Sequence, residues 1–174
     1  MSDMRDELLD AAERQIRSSG YDAFSFREIA KEVGIKSSSV HYYFPTKADL
    51  GVEVARRYTD RFFESLPDSP QDRTKALADA FSQAIRRDDK ACLCGVLGSV
   101  HGSLPSPVGA EAKRFFELAI AYLLNKQRST TTKRAEREWA FQVVALLEGG
   151  MILALALDDK NAFTALTRTL PSRP

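Results

Sequence analysis

Three chain-breaking residues, Gly20, Gly34 and Pro45, stand so close together that only short helices fit between them. Residues 26–44 read FREIAKEVGIKSSSVHYYF. Ser25 lies where a helix N-cap belongs, and Glu28 follows three residues on, which is the capping-box pattern for a helix at 26–33. Gly34 supplies the left-handed residue that a tight turn needs. A second short helix at 37–43 is then stopped by Pro45. Ala30 is small where the two helices would cross, and Ile29, Val33, Ile35 and Val40 are apolar on the side of a miniature core. Ser37, Ser38, Ser39, His41 and Tyr42 are left pointing outward, while Tyr43 and Phe44 are expected in the core, wholly or in part.

A helix, a tight turn and a second helix form the geometry that sets a recognition helix into the major groove of DNA. The outward residues suit that task. Serine hydroxyls and the amides of a helix N-terminus bind phosphates. Histidine and tyrosine hydrogen-bond to base edges or phosphates and pack on thymine methyls. Thr46 and Lys47, at the start of the next helix, are placed to hold another phosphate. The plainer reading is a surface helical hairpin whose aromatic residues are core, but the spacing satisfies many independent constraints of the DNA-binding motif at once.

The rest of the chain continues the helical spacing, and no strand is predicted. A lead helix at 3–19 carries Leu8, Leu9, Ala12 and Ile16 on one face. Thr46 caps a long fourth helix with Leu50, Val54, Tyr58 and Phe62 inward. Ser69-Pro70 opens a fifth helix with Leu77, Phe81 and Ile85 in a stripe. Further helices are expected at 91–101, 107–126, 133–157 and 160–170. The break LPDSP at 66–70 suggests a division into a helix-turn-helix head at 1–45, a connecting helix at 46–66 and a larger bundle at 67–174.

Composition mainly excludes. The 174 residues are 44% hydrophobic and 28% charged, an ordinary globular balance, and a net charge of +1 steers no partner by itself. Residues 1–66 hold ten Lys and Arg against twelve Asp and Glu, whereas 25–47 hold Arg27, Lys31, Lys36 and Lys47 against Glu28 and Glu32. The basic face is therefore local, and few phosphate contacts per subunit are expected. The charged opening stretch is not expected to be a secretory leader. Residues 139–157 could mimic a membrane span, but Glu148 at the centre favours a helix buried against protein. With His41 and His101 far apart and no phosphate loop or nucleophile motif, an enzyme is not expected, nor is a cofactor or metal. Cys92 and Cys94 suggest no disulfide framework, and a reducing cytoplasm is the default compartment. On one helix Cys94 and His101 would share a face as a thiol–imidazole pair able to sense oxidants or electrophiles, whereas buried inert cysteines are the plainer reading.

At residues 5–66 the chain resembles the TetR family of transcriptional regulators: GYDAFSFREIAKEVGI is followed by SSSVHYYFPTKADL. The remainder is similar in length and layout. The resemblance implies an all-helical homodimer with a three-helix DNA-binding head, a connecting fourth helix and a ligand-binding body. By matching positions it implies DNA contacts from Ser25, Arg27, Ser37, Ser38, His41, Tyr42, Tyr43 and Lys47, with His41 standing where tyrosine is common. It places the dimer surface on the helices at 133–157 and 160–170, around Gly149 and Gly150. A two-fold dimer implies a pseudo-palindromic operator with half-sites about 34–36 Å apart or somewhat more. Regulators of this type are released from DNA when a small molecule fills the body and, through the fourth helix, tilts the head. Candidate lining residues are Phe81, Cys94, Leu97, His101, Phe115, Phe116, Tyr122, Trp139 and Gln142, which favour a mostly apolar inducer. Some relatives that respond to electrophiles carry Gly-Cys-Leu where this chain has Ala91-Cys92-Leu93, so Cys92 and Cys94 are candidate thiol sensors. A module on the same fold that binds no DNA is the other alternative.

Overall fold

The computed structural model describes residues 3–68, 72–124 and 132–174. Among them the chain is all-helical: α1 (Met4–Ser19), α2 (Phe26–Val33), α3 (Ser37–Tyr43), α4 (Lys47–Glu64), α5 (Arg73–Asp88), α6 (Leu93–Ser99), a 3₁₀ turn (His101–Ser103), α7 (Ser106–Leu124), α8 (Lys133–Ala156) and α9 (Lys160–Thr167). They form two compact units, residues 1–61 with 93–113, and residues 62–92 with 114–174. The expected division at 45 and 66 is a functional one; the compact units cut the chain elsewhere and add α6 to the unit that holds the head.

In the first unit the caps expected at Gly20, Ser25 and Thr46 form, and Asp3 adds one at the start of α1. Gly20 ends α1 at φ 84° while its N–H donates to the Ile16 carbonyl. The Ser25 hydroxyl accepts the Glu28 N–H at 3.2 Å, which is one half of the capping box. At α4 the reciprocal pair is complete: Thr46 Oγ1 accepts the Asp49 N–H at 3.1 Å, and the Thr46 N–H donates to Asp49 Oδ2 at 3.0 Å. Leu8, Leu9, Ile16, Ile29, Val40, Phe44, Leu50 and Val54 form the core between these helices. Two charged residues of α1, Glu13 and Arg17, are buried beside that core. Glu13 is only 7% exposed. It accepts two bonds from Arg61 at 2.8 and 2.9 Å, pairs with buried Arg17 at 3.4 Å, and has Arg57 at 3.9 Å. Tyr58 lies between the Arg17 and Arg61 guanidiniums. This cluster ties α1 to α4.

Helix α6 is shorter than the expected 91–101. Gly95 and Gly98 make it a poor helix. After Leu97 the hydrogen bonds tighten to a three-residue span, from the Val100 N–H to Leu97 and from the Ser103 N–H to Val100. The helix therefore stops between Cys94 and His101. Cys94 is fully buried, with its sulfur 3.7 Å from Thr59 Oγ1, while His101 is exposed. Cys94 and His101 therefore do not share one helical face, as the alternative thiol–imidazole reading required.

In the second unit Asp72 caps α5, accepting the Lys75 N–H at 3.0 Å. The expected Ser69-Pro70 opening, and the last two residues of the expected helix at 107–126, lie outside the described residues. α9 ends at Thr167 rather than 170; Thr167 and Thr169 turn their hydroxyls onto carbonyls three residues back, and Pro171 follows. Phe62, Phe81 and Phe115 interlock edge to face, with centroids 5.1–5.3 Å apart from Phe62, and Phe63 and Phe116 add to the cluster. On α8, burial raises the Glu148 carboxyl to about 7, opposed by a hydrogen bond from the Cys92 thiol. Its Oε1 has no partner among the described residues.

Two outcomes follow. Glu13→Ala removes the buried carboxylate on which Arg17 and Arg61 converge and should cost roughly 3 kcal/mol in urea denaturation. Glu148 is protonated in the folded chain at a pH where it is ionised in the unfolded one. Stability should therefore fall as pH rises from about 4.5 to about 7. In thermal melts Glu148→Gln should flatten that fall, gaining stability at pH 8 and little at pH 4.

Candidate nucleic-acid interface

The candidate interface is built on the turn between α2 and α3. Gly34 takes φ 80° and ψ 29°, in the left-handed region. The N–H groups of both Gly34 and Ile35 reach the Ala30 carbonyl at 2.9 Å, closing the helix in the manner of a Schellman turn. Ala30 and Ile29 are buried at the crossing, with Val40 and Phe44 from the other side. Val33 and Ile35, expected in this core, are half-buried. Fixing Val40 and Phe44 inward fixes what α3 turns outward.

That outer face carries Ser38, His41 and Tyr42, all exposed, with Ser37, Ser39 and Tyr43 half-exposed at its edges. Tyr42 is 85% exposed. Its ring stands edge-on to Tyr43, centroids 5.2 Å apart. His41 packs its ring edge against Phe26 at 4.7 Å, and its Nδ1 lies 3.3 Å from the Pro45 carbonyl. A carbonyl can only accept, so Nδ1 carries the hydrogen and Nε2 faces outward as an acceptor when the ring is neutral. No side chain caps α3, which begins after Lys36, so its first amides are open beside the serines. Arg27 is exposed on α2, 3.4 Å from Glu28.

The acids nearby are turned aside. Glu32 accepts from Arg14 Nε at 2.8 Å and Gln15 Nε2 at 2.9 Å, both on α1. Asp49 is committed to Thr46. The head is formally acidic, but these carboxylates face protein partners.

Lys47, expected to hold a phosphate, is also engaged by the protein itself. Its ammonium donates to the Asp22 carbonyl at 3.1 Å and sits over the Tyr21 and Phe24 rings at 4.8 and 4.6 Å. Burial lowers its pKa, opposed by Asp22. One of its three donors is used, and the others remain. The sequence reading missed Tyr21, Phe24 and Asp22 as the cradle for Lys47; the signal available was the aromatic pair just before Ser25. It also missed Glu13, whose clue was a carboxylate within the apolar stripe of α1.

The expected inducer residues do not gather around one cavity. Cys94, Leu97 and His101 belong to the first unit and the other six to the second. Phe81 and Phe115 are core within the aromatic cluster, with Phe116 packed edge-on beside Phe115. Tyr122 is covered by Arg73 at 4.7 Å, and Gln142 is exposed on α8. Only Trp139 lines the polar groove of about 980 Å³ between α5, α9 and the C-terminal segment. Both cysteines are buried, and Cys92 donates its thiol hydrogen to Glu148.

The profile described as bacterial regulatory proteins, tetR family, matches residues 8–54. The chain is similar to the HTH-type transcriptional regulator YxaF of Bacillus subtilis (strain 168), 24% identical over 180 residues that cover 97% of this chain and 94% of that one. It is similar to the crystal structure of a TetR transcriptional regulator from Legionella pneumophila, with 31% identity and a TM-score of 0.87 over 98% of this chain and 96% of that one. A TetR-family regulator from Agrobacterium tumefaciens is 27% identical, with a TM-score of 0.81 over 94% of this chain and 93% of that one. The likeness extends beyond the head through almost the whole chain, and the protein belongs to the TetR family of transcriptional regulators.

Proposed function

We propose that the protein is a cytoplasmic repressor that binds a pseudo-palindromic operator as a homodimer and leaves it when a small molecule binds the second unit. The observation that carries the DNA-binding part is Tyr42, a large ring held 85% exposed by an α3 whose other side is locked inward. A ring costs free energy in water unless a partner covers it. Ser37, Ser38, His41 and Tyr43 share that surface, with Ser25, Arg27 and Lys47 at its border. Phosphate contacts from the serines, Arg27 and the open α3 amides position the head, while His41 and Tyr42 read bases. A regulator needs no catalytic group, and none is proposed.

The dimer reading rests on α8. The helix is long and apolar enough to span a membrane by composition, with 44% of its apolar window buried within one chain. Phe141, Ile152, Leu153 and Leu157 are exposed. Homodimers are the habit of the family, and a second copy would cover that face, with α9 beside it. Gly149 lies within the face, and a Cβ there would meet nothing within 4 Å in the single chain. Its small size therefore serves no packing inside one protomer and suits close approach of a partner helix.

Release by a ligand requires that the ligand bind the DNA-incompetent state more tightly. An interior apolar site is disfavoured by the closed phenylalanine cluster. Thiol sensing is disfavoured by burial of both sulfurs.

Tyr42→Ala should weaken binding to DNA flanking the protein's own gene by about tenfold or more in a salt-controlled gel shift, with an unchanged melting temperature. Unchanged affinity would exclude α3's outer face as the reader. Gly149→Leu should shift the dimer toward monomer in analytical ultracentrifugation while leaving helicity intact; a variant that remains fully dimeric would place the interface elsewhere.

A further inference from the structure

The groove in the second unit is unlike an apolar interior pocket. Its volume of about 980 Å³ is at the upper end for metabolite sites. Its floor is apolar, made by Ala78, Leu123 and Trp139. Its walls carry hydroxyls and charges, and the charges are almost all committed. Asp72 caps α5, and Asp79 holds Lys75 at 2.6 Å. Arg73 donates to the Asp68 carbonyl at 3.2 Å and lies over Tyr122. Arg173 reaches Glu136 at 2.8 Å across the Trp139 ring.

Arg86 is the exception. Among the described residues its guanidinium has no hydrogen bond or ion pair. It lines both this groove and an adjoining cavity of about 190 Å³, and Ser82 and Thr164 line both with it. A planar guanidinium flanked by two hydroxyls matches a carboxylate, which accepts two parallel N–H bonds and one or two more from O–H groups. Ala78 lies two turns before Arg86 on α5, about 12 Å along the helix. The distance from the charged end to the apolar floor is therefore that of a short hydrocarbon or aryl chain.

We propose that this groove binds a small amphipathic carboxylate, its charged end on Arg86, Ser82 and Thr164 and its apolar body over Ala78, Leu123 and Trp139. The proposal deepens the repressor reading by giving the inducer a class, and it rests on that reading only for the link to DNA release. It differs from the mostly apolar inducer that the sequence favoured, for Phe81, Phe115 and Phe116, among the residues on which that expectation stood, pack on one another.

Trp139 is the only tryptophan of the chain, and its indole N–H donates to the Pro171 carbonyl at 2.8 Å in the groove wall. Its fluorescence therefore reports on this site. The full-length protein is titrated with 4-phenylbutyrate, with octanoate and with the neutral amide of 4-phenylbutyrate. A saturable change is expected for both acids, with the amide at least tenfold weaker. Arg86→Ala should weaken both acids at least tenfold, and Arg86→Lys should fall between, each variant checked for native circular dichroism. No saturable change with either acid, equal titration by acid and amide, or an Arg86→Ala protein that binds like the wild type would overturn the assignment. Gel shifts on the same samples separate the two readings. Wild type that binds DNA but neither acid loses only the groove. Wild type that binds the acids but no DNA loses only the repressor.

Discussion

The contact on which the rest depends is the crossing of α2 and α3 at Ala30. A left-handed Gly34 turns the chain, and Ala30, Ile29, Val40 and Phe44 close the gap beneath it. A larger residue at 30 would push the helices apart, and a side chain at 34 would strain the turn. With the crossing fixed, helical geometry leaves α3 no freedom about which residues face outward. The exposed tyrosine, the histidine and the serines are therefore consequences of a buried packing choice. The geometry of that face is inherited from a core of very few residues.

Charge is handled in two ways in the same unit. Near the outer face the carboxylates of Glu32 and Asp49 are bonded to protein partners, Arg14 and Thr46. Deeper in, Glu13 draws arginines from α1 and α4 together. Burying such a cluster is not a strong source of net stability. Its value is geometric, since a misplaced α4 would leave buried charge uncompensated. The second unit solves a different problem. Phenylalanines fill much of its interior, where Glu148 is a buried carboxyl, and the groove beside α5 and α9 carries other polar groups.

Much of this was legible in the sequence because local rules decide it. Gly20, Gly34, Pro45, Ser25 and Thr46 act within a few residues of themselves, and the helix ends they imply are where the chain puts them. The shortening of α6 was less legible: apolar spacing carried the reading across Gly95 and Gly98, and the tight turn after Leu97 competes with helix on small energy differences. The ligand residues were the least legible. An aromatic residue at helical spacing looks the same whether it lines a cavity or fills one, and only the tertiary contact of Phe62 with Phe81 and Phe115 distinguishes the two. Lys47 shows the converse, a cation whose position was plain but whose partners, Tyr21, Phe24 and the Asp22 carbonyl, come from a loop more than twenty residues away.

The most direct test of the central claim is site-specific photo-crosslinking from position 42, using a photoreactive phenylalanine analogue in place of Tyr42 and the same probe at buried position 44 as control. If α3 enters the major groove, position 42 crosslinks to bases at two symmetric points of the operator, about 34–36 Å apart or somewhat more, while position 44 gives none. Crosslinks from position 42 to protein alone, in a complex that still binds its operator, would contradict it.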